Sequence, residues 1–192
     1  VQAGGMESFY GTAFPVGKAV IVDFGEHLTG HVSCALVARG RTPDSPVRFR
    51  FTFGEVPSEM AVPFDPYPGT LSRAWLQDET ITVTTVPGKV TIPRRVSFRY
   101  VKIEVVAAPN YNFSISNLIC EATTSVERMP EMLPETVARD IRAIDRVALY
   151  TLKECMQTVY EDGPKRDRRL WIGDLYLESL GNKYSVRQFN IT

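Results

Sequence analysis

Between residues 18 and 122 apolar side chains recur at every second position, a period that only extended strands satisfy, because successive side chains there point to opposite faces. The run VRFRFTF is the clearest case: Val47, Phe49, Phe51 and Phe53 share one face, and Arg48, Arg50 and Thr52 share the other. AVIVDFG repeats it with Val20, Val22 and Phe24, and GHVSCALVARG with Val32, Cys34, Leu36 and Ala38. ETITVTTV offers Ile81 and Val83, and YNFSISNLIC offers Phe113 and Ile115. In SFRYVKIEVV, Phe98 and Tyr100 are followed by Val101, Ile103 and Val105, a change of parity that predicts a bulge or a strand buried on both faces. Turn signals lie between these runs at Gly25, Gly30, GRTPDSP, VPFDPYPG and VPGK. About seven or eight short strands at this spacing predict a mainly β domain, an antiparallel β-sandwich over residues 1–125.

After TTSVERMPEMLP the period becomes helical. Val137, Ile141, Ile144, Ala148, Leu152, Cys155, Met156 and Val159 recur at steps of three and four and form one apolar stripe. Pro134 suits a first helical turn and Glu135 suits the positive end of the dipole, so the helix is expected to start there. Gly163 and Pro164 predict its end near Asp162. Asp174, a good N-cap, predicts a second helix carrying Leu175, Leu177, Leu180 and Tyr184. Two helices cannot enclose a core of their own. Residues 126–192 therefore read as a linker, 126–133, and the first helices of a larger helical domain that is truncated here. An uncovered stripe at Val137, Ile141, Ile144 and Leu152 predicts self-association.

Charge narrows the partners. Lys+Arg and Asp+Glu both number 22, so no basic excess favours nucleic acid or a membrane surface. No stretch of about 18 apolar residues could span a bilayer. The start, VQAGGMESFYGTAFP, lacks the charged and apolar regions of a signal peptide, which leaves cytoplasmic, periplasmic and secreted locations all open. Cys34, Cys120 and Cys155 are odd in number and sit in apolar patterns, which predicts buried thiols. His27 and His31 flank an expected turn with no third ligand in reach, so no metal site is expected. Phe49, Phe51 and Phe53 read as sandwich core, and Trp75 as packing.

The stretch YEDGPKRDRRLWIGD, residues 160–174, carries eight charges in fifteen residues yet lies between two apolar helical patterns. Asp162, Asp167 and Asp174 are interleaved with Arg166, Arg168 and Arg169. Carboxylates accept hydrogen bonds from sugar hydroxyls, and arginines hold those carboxylates oriented. A carboxyl kept protonated could act as a general acid, and Trp171 offers a flat apolar face. The same composition also suits a solvated ion-pair network that only braces two helices. Spacing alone leaves both open.

EDGPKRDRRLWIGD resembles the signature of the α-L-rhamnosidases of glycoside hydrolase family 78, which runs approximately Asp-Cys-Pro-x-Arg-Asp-Glu-Arg-Leu-Gly-Trp-x-Gly-Asp. LKECMQTVYEDGP resembles the family's first barrel helix. IVDFGEHLTGHVSCAL, FTFGEVP and IPRRVSFRYVKIEV resemble the sandwich that precedes its catalytic barrel. The resemblance runs from about residue 18 onward. It implies a β-sandwich followed by two α-helices that begin an (α/α)6 barrel, and hydrolysis of terminal α-L-rhamnosides, or of a similar sugar, with inversion. It implies a carbohydrate partner and neither metal nor cofactor.

On the motif, Asp162 and Asp174 match two aspartates that grip rhamnose hydroxyls, Arg166 matches a basic position, and Trp171 matches the aromatic in a loop shorter by one residue. Arg168 stands where the signature has glutamate, and a guanidinium does not give up its proton at useful pH. Asp167, one position earlier, is the general acid the resemblance then implies. The general base has no counterpart here and is expected beyond Thr192, so this chain alone is expected to be inactive. The alternative is a non-catalytic carbohydrate-binding or structural sandwich module with residues 160–174 as its brace.

Overall fold

The structure, a computed structural model, describes residues 4–14, 16–107 and 111–191. It divides into two compact units, Val1–Glu121 and Ala122–Thr192. The described part of the first holds six antiparallel strands: β1 Ala19–Arg39, β2 Val47–Gly54, β3 Asp78–Val83, β4 Gly88–Thr91, β5 Val96–Ala107 and β6 Asn112–Ala122. Their hydrogen-bonded order is β3-β2-β5-β1-β4, with β6 also paired to β1.

AVIVDFG and GHVSCALVARG, expected as separate strands, are one strand of 21 residues. Asp23 pairs with Tyr100 whereas Leu28 pairs with Phe98, so the residues between bow out of the ladder. Gly25 adopts φ 84° at this bulge, and its N–H donates to Asp23 Oδ1 at 2.8 Å. The expected turns at Gly25 and Gly30 do not reverse the chain, because β5 partners the strand on both sides of the bulge. The same bulge answers the parity change in β5. Phe98 and Val101 are both buried, while Arg99 and Tyr100 between them face the displaced backbone half-exposed.

Closure into a sandwich is visible in the phenylalanines. Phe113 of β6 lies edge-on to Phe49 of β2, ring centres 5.2 Å apart, although two strands separate β6 from β2 in the hydrogen-bonded order. The sheet is therefore folded over, and its two layers share one core. Phe49, Phe51 and Phe53 are buried there, as the alternation predicts, with Ile103, Val105 and Ile115. A short helix, α1 (Met6–Gly11), adds Phe9, which packs against Phe14; Phe14 in turn stacks on Phe113. Gln77, also buried, extends the hydrogen bonding with its side chain: Nε2 donates to Ser97 O at 2.7 Å and Oε1 accepts from Ser97 N at 2.8 Å. Cys34, Cys120 and Cys155 are free thiols, and Cys120 is only partly buried. His27 Nε2 lies 3.2 Å from both Glu55 Oε1 and Ser97 Oγ. Trp75 is half-buried in a 3-10 turn, Arg73–Trp75.

The second unit holds α2 (Arg139–Cys155) and α3 (Ile172–Tyr184). Both bounds of α2 correct the expectation of a helix from Pro134 to Asp162. At the start, Val137 N–H closes a turn on Pro134 O at 3.0 Å, and the first helical bond follows from Arg142 to Ala138. At the end, two distant partners and one local one satisfy the carbonyls that a helix terminus leaves free. Thr124 Oγ1 donates to Lys153 O at 2.8 Å, Ser125 N to Met156 O at 2.8 Å, and Gln157 Nε2 to Glu154 O at 2.9 Å. Of the apolar stripe, Cys155 and Met156 are buried, whereas Ile141 and Ile144 are exposed.

Candidate active site

The charged loop begins where α2 stops. Glu161 N–H returns to Cys155 O at 2.9 Å, which turns the chain sharply. Asp162 then closes the loop on itself: its N–H donates to Arg169 O, and its Oδ1 accepts from Arg169 N, both at 3.0 Å. Inside this clasp, Arg168 N–H donates to Gly163 O at 3.2 Å. Position 163 has little room for a side chain, since a Cβ there would lie 2.9 Å from Arg166 O. Asp167 and Arg168 both adopt left-handed backbone, φ 61° and 53°. Each such non-glycine residue costs of order 1–3 kcal/mol and persists only where the surroundings fix it. The clasp at Asp162 is what fixes it here.

Arg166 Nε stands 3.8 Å from Asp167 Oδ1. The Asp167 side chain keeps 30% of its surface exposed, so its carboxyl is reachable from outside. Trp171 is 49% exposed and accepts the first α3 bond, from Leu175 N, at 2.8 Å. That bond sets the helix start at Ile172 and corrects the expected cap: Asp174 is not the N-cap but the third helical residue. Its carboxylate still lies in the first turn, where the helix dipole favours it.

Asp162 and Asp174 converge electrostatically on a carboxyl that sequence reasoning missed, Glu178. Burial, then the charges of Asp174, Asp162 and Glu161, push Glu178 up to about 7, against a hydrogen bond from Cys155 that works the other way. Its Oε2 is buried without a hydrogen-bond partner. Burial, seconded by Glu178, in turn raises the Cys155 thiol to about 12. The signal lay in the helical spacing of Glu178 and Asn182, which turns these polar side chains inward, while Asp174 one turn earlier stays exposed. Asn182 is buried, donating from Nδ2 to Tyr160 Oη at 2.7 Å and accepting from Gln188 N at 2.9 Å. Among the described residues no hydrogen bond or ion pair joins Asp167 to Asp162 or Asp174. Two groupings result: Arg166 with Asp167 in the loop, and Glu178 of α3 under the charges of Asp174, Asp162 and Glu161.

Glu178 makes stability depend on pH. The folded chain holds its proton up to about pH 7, whereas an unfolded chain releases it near 4.5, so stability falls as pH rises across that window. After discounting for the solvent-facing part of the carboxyl, the loss is on the order of 1–2 kcal/mol. Glu178→Gln should match wild type at about pH 4, below the unfolded value, and exceed it by that amount at pH 8 in chemical denaturation. An equal difference at both pH values would contradict this.

Comparison with known proteins follows the same division. Residues 1–122 match the family described as glycosyl hydrolase family 78 alpha-rhamnosidase N-terminal domain. A rhamnosidase from Klebsiella oxytoca, solved with rhamnose bound, is 38% identical over 98% of this chain, with a TM-score of 0.93. A family 78 rhamnosidase of Bacillus sp. GL1 shares the fold over 90% of the chain at 18% identity and a TM-score of 0.67. An alpha-L-rhamnosidase from Dictyoglumus thermophilum does so over 87% at 20% identity and 0.53. The chain spans only 37%, 17% and 18% of these three proteins. No curated protein matches it. The chain belongs to the family of glycosyl hydrolase family 78 alpha-rhamnosidase N-terminal domains.

Proposed function

We propose that residues 160–174 are the sugar-gripping and proton-donating part of an inverting α-L-rhamnosidase. The observation that carries this reading is the 38% identity, spread over 98% of the chain, to a rhamnosidase that holds rhamnose. Asp162 anchors its Oδ1 on Arg169 N and turns Oδ2 to a sugar hydroxyl. Asp174 accepts from a second hydroxyl, and the half-exposed indole of Trp171 covers an apolar face of the ring. Arg166 orients Asp167, which protonates the glycosidic oxygen as the bond to the anomeric carbon breaks. A second carboxylate, about 6.5–9.5 Å away, takes a proton from the water that attacks the opposite face. It comes from polypeptide beyond these 192 residues, in line with the chain's 37% share of the Klebsiella protein, and the chain alone is inactive.

Glu178 is the rival acid, because it is the carboxyl its surroundings keep protonated. Its Oε2 is buried, however, and it bonds Cys155, whereas Asp167 meets solvent. The test is turnover of a rhamnoside by the whole reading frame, with Asp167→Asn and Glu178→Gln beside wild type. Loss only in Asp167→Asn supports the assignment. Loss only in Glu178→Gln moves the acid there, and no turnover in wild type removes the rhamnosidase reading.

A further inference from the structure

On the sandwich, independently of the charged loop, the structure holds a polar cavity. Strand pairing sets Asp78 opposite Thr52 and Thr52 opposite Lys102, and in the next row Arg50 opposite Glu104. These side chains line a cavity of about 260 Å³, covered by the segment that carries Met60, Pro63 and Phe64. The cover is pinned by Arg73. One edge of its guanidinium binds both oxygens of Asp65 at 2.9 Å, and another binds both oxygens of Asp78 at 2.8 Å. Its Cζ also lies 5.4 Å from the Phe64 ring centre. The Arg73 bonds hold the Asp65 carboxyl below its ordinary value, so that carboxylate stays an acceptor.

The lining and its clamp set three cations, Arg50, Arg73 and Lys102, against three carboxylates, Asp65, Asp78 and Glu104. Such a balance favours neither an anion nor a cation. It offers donors and acceptors in alternation beside an aromatic ring, which is what a neutral ring bearing several hydroxyls requires. The volume falls just below the range of about 300–1,000 Å³ usual for small-molecule sites, which suits a single ring. We propose that this cavity binds a neutral, polyhydroxylated ligand the size of one pyranose.

The test is nitrogen-15 NMR of residues 1–192, titrated with methyl α-L-rhamnopyranoside, methyl β-D-glucopyranoside and, as a charged probe, sodium galacturonate. At least one neutral glycoside should shift the amide signals of Thr52, Phe64 and Lys102, and galacturonate should not. Arg50→Gln with Glu104→Gln should weaken that binding about tenfold or more. Phe64→Ala, which leaves the sheet untouched, should weaken it too, and Asp162→Asn should leave it unchanged. No shift at these residues with either neutral glycoside, equal shifts with galacturonate, or undiminished binding in folded variants would overturn the proposal.

Discussion

In the whole reading frame, Asp167→Asn should lower kcat for methyl α-L-rhamnoside by about 10²–10⁴, the contribution of a positioned general acid. The substitution keeps size and shape but removes the transferable proton. The loss should shrink for a 4-nitrophenyl rhamnoside, whose leaving group departs readily as an anion and needs little protonation. A mutation that merely disturbed the loop would slow both substrates alike. This leaving-group dependence therefore separates proton donation from structural damage, and uniform slowing would take the acid role from Asp167. The loop geometry gives a reason to expect a fixed carboxyl there, since two consecutive left-handed residues are held between the clasp bonds of Asp162.

Phe113→Ala should destabilise the sandwich by about 3–5 kcal/mol, the usual cost of emptying a buried aromatic site. Phe113 is fully buried, lies edge-on to Phe49 and stacks on Phe14, so its loss opens a cavity where the two layers meet. Aromatic pairing adds about 0.5–1.5 kcal/mol beyond the area term. The urea midpoint should fall accordingly. Ile21→Ala, at an exposed position of the same sheet, should change it by no more than about 0.5 kcal/mol. Comparable shifts for the two would mean that the layers do not share the core described.

Much of the sandwich was legible because alternation decides faces. Val47 to Phe53 and Val101 to Val105 point inward where period two puts them. Glycine was less informative: at Gly25 it marks a bulge rather than a turn, a choice made by β5 pairing along both halves of β1. The end of α2 was not legible, because its carbonyls are satisfied by Thr124 and Ser125, about 30 residues earlier in the chain. In α3 the apolar pattern misled. Leu177 and Tyr184 are exposed, whereas Glu178 lies partly within and Asn182 is buried, because the inward face answers Cys155 and Tyr160 rather than an apolar core. The motif placed Asp162, Asp167 and Asp174 in one loop region, but nothing in it announced Glu178.

The most direct measurement is time-resolved proton NMR of an aryl α-L-rhamnoside hydrolysed by the whole reading frame. If Asp167 gives its proton while a facing carboxylate activates water, β-L-rhamnose must form first and only then mutarotate to the mixture. Release of α-L-rhamnose first, or of no rhamnose at all, would contradict the mechanism proposed for this loop.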